Sequence, residues 1–167
     1  MKRKSAVALA IIALFAFTAS AQSQKKQKNA DTSALPSVES SVAQELDHDI
    51  GEMLGAWQVG DVDAMHKYYA DNATWVSGAY APPISGWENY VPAYEQQFKR
   101  MSSVQLIRRN SNFFHYNSTA WVCYQWELDA IVDGKPTTAR GQTTLVLVKT
   151  GDRWLIVHNH TSEICPR

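Results

Sequence analysis

The side chains most able to do chemistry in this chain cluster in two strand-like runs near its C-terminus. His158 and His160 stand two residues apart in the run Trp154-Leu155-Ile156-Val157-His158-Asn159-His160-Thr161-Ser162. An extended chain projects both imidazoles from one face. Two imidazoles on one face supply half of a metal site. Nothing in the spacing of His66 or His115 selects a third ligand, so no metal and no cofactor is expected. The plainer reading of the pair is hydrogen bonding to neighbouring strands or an oligomer contact. Gln125 and Glu127 share a face of the run Ala120 to Val132, opposite Tyr124, Trp126 and Leu128. A partly buried carboxylate there is a candidate general acid or base. Its plainer reading is a solvated Glu near a sheet edge. The catalytic candidates are therefore Glu127, His158 and His160.

What these residues can do depends on register. A one-residue slip in the Thr150 to Arg153 turn exchanges His158 and His160 for Asn159 and Thr161 on the inward face. Ala139 to Lys149 and Trp154 to Ser162 read as two strands joined at a Gly-Asp break, an antiparallel hairpin that needs further elements to cover its apolar face. Upstream, Val42, Leu46, Ile50, Met53, Leu54 and Trp57 recur at helical spacing, which predicts a helix over Ser40 to Val59, ended by Gly60. Asp61 caps a short second helix running through Met65 to Tyr69. Ala73 to Ser77 is a first strand, and Ala81-Pro82-Pro83-Ile84 is extended. Gly86 opens a third helix, Trp87 to Met101, with Tyr90, Tyr94 and Phe98 on one face and Pro92 near its start. Val104 to Phe114 and Ala120 to Val132 are strands, followed by an Asp133-Gly134 turn. Helices first and strands afterwards give an α+β fold, with three N-terminal helices packed on one face of a curved antiparallel sheet.

The N-terminus reads as an export signal over residues 1–21. Lys2, Arg3 and Lys4 precede the apolar run Ala6 to Phe17 and the small-residue site Ala19-Ser20-Ala21. The run is too short for the roughly 20 apolar residues of a membrane span. Residues 22–37 hold almost nothing to bury and read as a flexible tail, leaving 38–165 as one domain. Six of the sixteen Lys and Arg precede Asp31 and none of the sixteen Asp and Glu does, so the remainder sets ten against sixteen and stands near −6. That argues against nucleic acid and anionic membranes as partners once the signal is removed. Cys123 and Cys165 are free to bridge in an oxidising compartment. The bridge requires the C-terminal tail to fold back onto the strand; otherwise both are thiols.

Gly60-Asp61-Val62-Asp63-Ala64-Met65 and Tyr69-Ala70-Asp71-Asn72-Ala73-Thr74-Trp75 resemble the nuclear transport factor 2-like superfamily. Gly86-Trp87-Glu88 is similar to the start of its third helix. Arg140 to Thr144 and Trp154 to Ser162 resemble the closing strands of its SnoaL-like branch, which is related to the association domain of calcium/calmodulin-dependent kinase II. The resemblance covers about Val42 to Ser162. It implies a cone-shaped, cystatin-like α+β roll with a pocket between sheet and helices, a homodimer, and Val157, Asn159 and Thr161 inward. Ketosteroid isomerases of this superfamily use an Asp base and two proton donors. The matching positions are Ser77, Met53 and Leu145, so that chemistry is not expected. The association domain's pocket arginines match Gln125, Leu145 and Thr161, while its helix aromatics match Tyr90 and Phe98. Trp75, Tyr80, Tyr90 and Tyr94 read as pocket wall and core. The expected pocket set is Trp75, Tyr90, Tyr94, Phe98, Gln125, Arg140, Asn159 and Thr161, with Arg140 equally readable as a salt-bridge partner. Two functions stay open: an exported small-molecule pocket protein, possessing or lacking lyase, isomerase or hydrolase activity, and a non-catalytic binding or oligomerisation module.

Overall fold

The structure, a computed structural model, describes residues 40–78 and 81–164. The segments read as an export signal and a tail, with Tyr80 and Cys165, lie outside the described residues. The elements are α1 (Ser40–Val59), α2 (Val62–His66), β1 (Tyr69–Ser77), β2 (Ile84–Ser85), α3 (Trp87–Phe98), β3 (Met101–Tyr116), β4 (Thr119–Val132), β5 (Lys135–Thr150) and β6 (Arg153–Glu163). The α+β class is as expected.

Several boundaries move, each for a local reason. Asp61 caps α2 by accepting from Ala64 N at 2.9 Å, yet α2 stops at His66 and Tyr69 already opens β1. The buried alternation of Tyr69, Ala73 and Trp75 belongs to a strand face, and that burial outweighs continuation of a one-turn helix. α3 ends at Phe98, because Met101 pairs with Val132 as the first residue of β3. Gly60 ends α1 in the left-handed region at φ +80. A Cβ there would stand 2.5 Å from the Phe98 ring, so both backbone and packing call for glycine.

The six strands lie in the order β2-β1-β6-β5-β4-β3. β3 to β6 form the expected antiparallel meander, whereas β1 runs parallel to β6, so the sheet is mixed. The chain needs α3 and the whole meander to return from β1 to β6, which is the long crossover a parallel pair demands. α1 lays Leu46, Ile50 and Met53 against one face of the curved sheet, where Tyr69, Trp75, Val122, Tyr124, Leu145, Leu147, Trp154 and Ile156 meet them. A second cluster, Ala56, Met65 and Tyr94 with Trp57 and Phe98 against it, joins the three helices.

The register of β6 decides which of its side chains face the core. Leu147 pairs with Ile156, but Val146 pairs with His158, so Val157 is an extra residue on β6. This bulge shifts the alternation by one. Trp154 and Ile156 point to the core ahead of it, and Asn159 and Thr161 point there after it. With Val157 as an ordinary ladder residue and no bulge, alternation from Trp154 and Ile156 would put His158 and His160 in the inward positions.

Candidate functional site

On the core side of the sheet a line of neutral polar groups crosses three strands. Thr143 and Thr161 hydroxyls are 2.8 Å apart. Thr161 Oγ1 donates to Asn159 Oδ1 at 2.9 Å. Asn159 Nδ2 donates to the Tyr69 hydroxyl at 2.9 Å. Among the described residues the Tyr69 hydroxyl in turn has only Met53 Sδ to donate to, at 3.8 Å. Thr161 spends its single proton on Asn159, so Thr143 must donate to Thr161 and the chain runs one way. It ends on a thioether, a weak acceptor. The donor at that end is therefore available to a better acceptor.

Aromatic rings frame this line. Trp75 stacks on Tyr90 with centroids 4.3 Å apart, and Tyr69 tilts against Trp75 at 5.2 Å. Burial raises the pKa of Tyr69, with the Asn159 amide and then the Trp75 indole opposing it. The Trp75 N–H pulls on that oxygen without reaching hydrogen-bond geometry, and it has no acceptor of its own. Burial also pushes Tyr90 well above the ordinary phenol value and raises Tyr124. These phenols are neutral donors at physiological pH and cannot serve as bases there.

Trp75, Tyr90, Asn159 and Thr161 thus come together. The other expected pocket residues do not join them. Tyr94 and Phe98 continue the ring ladder of α3 into the helix junction, where Tyr94 donates to the Trp57 carbonyl at 2.6 Å. Gln125 and Arg140 lie on the opposite face of the sheet, both exposed. Gln125 accepts from Asn110 at 2.6 Å. Arg140 stands across from Glu127 in the β4–β5 register.

The catalytic candidates also lie on that opposite face. Glu127 is about half exposed and takes Arg109 Nε at 2.9 Å. His158 Nδ1 meets Thr74 Oγ1 at 2.7 Å. His160 is exposed, paired across the ladder with Thr144 and Val76. Gln125 and Glu127 face away from the core because Tyr124 and Trp126 bring more apolar area to bury, and it is their face that turns to α1. Among the described residues no group of three or more His, Cys, Asp or Glu converges as metal ligands would. Two clefts open elsewhere: one of about 270 Å³ between α1 and α2 at Gly51, Gly55 and Lys67, and one of about 590 Å³ at His66, Asp71 and Arg153.

Sequence reasoning missed Tyr69, Tyr124, Thr143, Arg108 and Trp126. Tyr124, Trp126 and Thr143 were legible as one face of a β4–β5 ladder, had the inward face been known. Arg108 carries no such signal. Its Nη2 donates to the Asp47 carboxylate at 2.6 Å and to the Asp47 carbonyl at 3.1 Å, contacts made only once α1 lies along β3.

Sequence comparison places the chain. The SnoaL-like domain family matches residues 48–166. The chain belongs to this family. Its SnoaL-like fold is shared by solved structures of low identity. A ketosteroid isomerase-like protein from Erwinia carotovora atroseptica is 19% identical, at TM-score 0.66, over 77% of this chain and 100% of that one. The CaMKII hub of S. rosetta is 22% identical, at TM-score 0.66, over 76% and 100%. A Caulobacter vibrioides protein with a cystatin-like fold is 16% identical, at TM-score 0.64, over 74% and 90%. At these identities the likeness is one of fold. No curated protein matches the chain in sequence.

Proposed function

We propose that this is an exported SnoaL-like domain that binds a small, largely apolar, uncharged molecule on the core side of its sheet and does not transform it. One observation carries the reading. The Thr143, Thr161, Asn159 and Tyr69 line is neutral throughout and ends in a donor with only a thioether to meet. Glu127, His158 and His160, the catalytic candidates, stand on the other face. Aromatic walls with a few convergent polar groups suit binding of such a molecule. Export is supported by the basic, apolar and small-residue order of residues 1–21. In a thermal melt, saturating neutral aromatic compounds are expected to raise the midpoint. A ligand at 100 times its Kd adds about 2.7 kcal/mol. The Asn159→Leu variant, which removes the donor to Tyr69, is expected to lose that response. No shift with any neutral aromatic probe, and no small molecule co-purifying by native mass spectrometry, would remove the reading.

A second reading, a homodimer or larger assembly, is favoured by the opposite face. Phe114 and Trp121 stack there with centroids 5.2 Å apart, each half-buried, and Val146 continues their row. A structural neighbour is a hub. The occupant proposed for this surface is a second copy, because a twofold contact needs only one self-complementary apolar row. Sedimentation of the full chain is expected to show a dimer that Trp121→Glu converts to monomer. A wild-type monomer at micromolar concentration excludes it.

A further inference from the structure

Two directly paired residues on the core face each bury an N–H donor that meets no acceptor among the described residues. Arg108 on β3 and Trp126 on β4 are direct cross-strand partners, so their side chains share a face. Arg108 Nη1 and Trp126 Nε1 are both buried and unpartnered. Leaving one such donor unsatisfied costs about 1–3 kcal/mol, and more when the group is charged. Folded proteins rarely place two together without a use for them.

Both donors are held in place. Arg108 Nη2 is fixed by the carboxylate and carbonyl of Asp47, and its guanidinium carbon stands 5.9 Å from the centre of the Tyr124 ring. The side chain is only 15% exposed. Nη1 therefore cannot turn to water without breaking those contacts. The Trp126 indole lies against Gly141, where a Cβ would stand 2.5 Å from the ring. The missing side chain on β5 is what lets the indole lie there.

The charge balance selects the acceptor. Asp47 already matches the Arg108 charge at 2.6 Å. A ligand carboxylate would add a second negative charge to a neutral pair in a partly desolvated place. A carbonyl or amide oxygen has two lone pairs, accepts from both donors and leaves no charge behind. The rings of Tyr124 and Trp126 suit a flat apolar body beside that oxygen.

We infer that Arg108 Nη1 and Trp126 Nε1 form a subsite for the oxygen of a neutral aromatic amide or ketone. This rests on the binding reading above and names its ligand class. Three probes separate the possibilities: benzamide, benzoate and ethylbenzene, titrated into the full chain and followed by indole N–H resonances, with that of Trp126 assigned by Trp126→Phe. Benzamide is expected to move the Trp126 N–H downfield and to bind about tenfold tighter than either of the others. Arg108→Lys keeps a cation for Asp47 but loses the second arm. It is expected to weaken benzamide about tenfold and leave ethylbenzene unchanged. If its melting midpoint falls, Trp126→Phe, which keeps the ring and removes only the donor, tests the same point. Benzoate binding as tightly as benzamide, or benzamide indifferent to both variants, overturns the subsite while ethylbenzene binding preserves the pocket. Silence of every indole toward all three probes removes the pocket and the subsite together.

Discussion

Gly141→Ala is expected to destabilise the domain by about 3 kcal/mol or more. At this size that lowers the melting midpoint by roughly 10 °C. A Cβ at position 141 would overlap the backbone carbonyl oxygen of Ser162 and stand 2.5 and 2.7 Å from two atoms of the Trp126 ring. Neither neighbour can give way cheaply. Ser162 is ladder-paired to Gln142, beside the Gly141–Glu163 pair. Trp126 packs against the main core cluster. The strain would fall on the β5–β6 pairing that holds Thr143 opposite Thr161, so loss of the neutral line should accompany loss of stability. Gly134→Ala is the contrast. Gly134 is left-handed at φ +77 but has open space around it, so only the backbone preference is lost, about 1 kcal/mol. Circular dichroism melts of the two variants decide the matter; a Gly141→Ala protein that melts with the wild type removes the close-packing account.

Raising the pH is expected to unfold the protein cooperatively between about pH 11 and 12. In the unfolded chain a phenol releases its proton near pH 10. In the native state burial raises Tyr69, Tyr90 and Tyr124, and pushes Tyr94 up to about 12. Above pH 10 the unfolded chain therefore binds fewer protons than the native one, and stability falls as pH rises. Below pH 10 that contribution is fully present. Each phenol held neutral in this way costs about 1.4 kcal/mol per pH unit, so Tyr69, Tyr90 and Tyr124 together cost about 4 kcal/mol per unit. That approaches the whole stability of an ordinary domain within one or two units. Tyrosinate absorbance and circular dichroism should change together. Gradual ionisation near pH 10 with the dichroism intact would show that these hydroxyls are open to water.

Much of the scaffold was legible because it rests on local periodicity. The apolar spacing from Val42 to Trp57 marks α1 to its last residue, and Gly60 marks its end in the left-handed region. The Asp133-Gly134 and Thr150-to-Arg153 breaks fall where the strands turn. Periodicity also shows which side chains share a face. It separates Gln125 and Glu127 from Tyr124 and Trp126 without saying which pair looks inward. That choice follows from the weight of apolar surface brought to α1, a sum over several strands that no single run contains.

The sequence by itself determined the class of fold, the succession of its elements and the family, since each rests on short-range spacing and on motifs read within one stretch of chain. Tertiary structure decided which of the expected site residues meet and which do not. Val157 becomes a bulge only because β5 pairs on both sides of it, and that one extra residue turns Asn159 and Thr161 inward and both histidines out. Arg108 gains its fixed position only because α1 brings Asp47 to it across 61 residues of chain. Register and long-range contact are properties of paired strands and packed helices, so they are settled only when those elements meet.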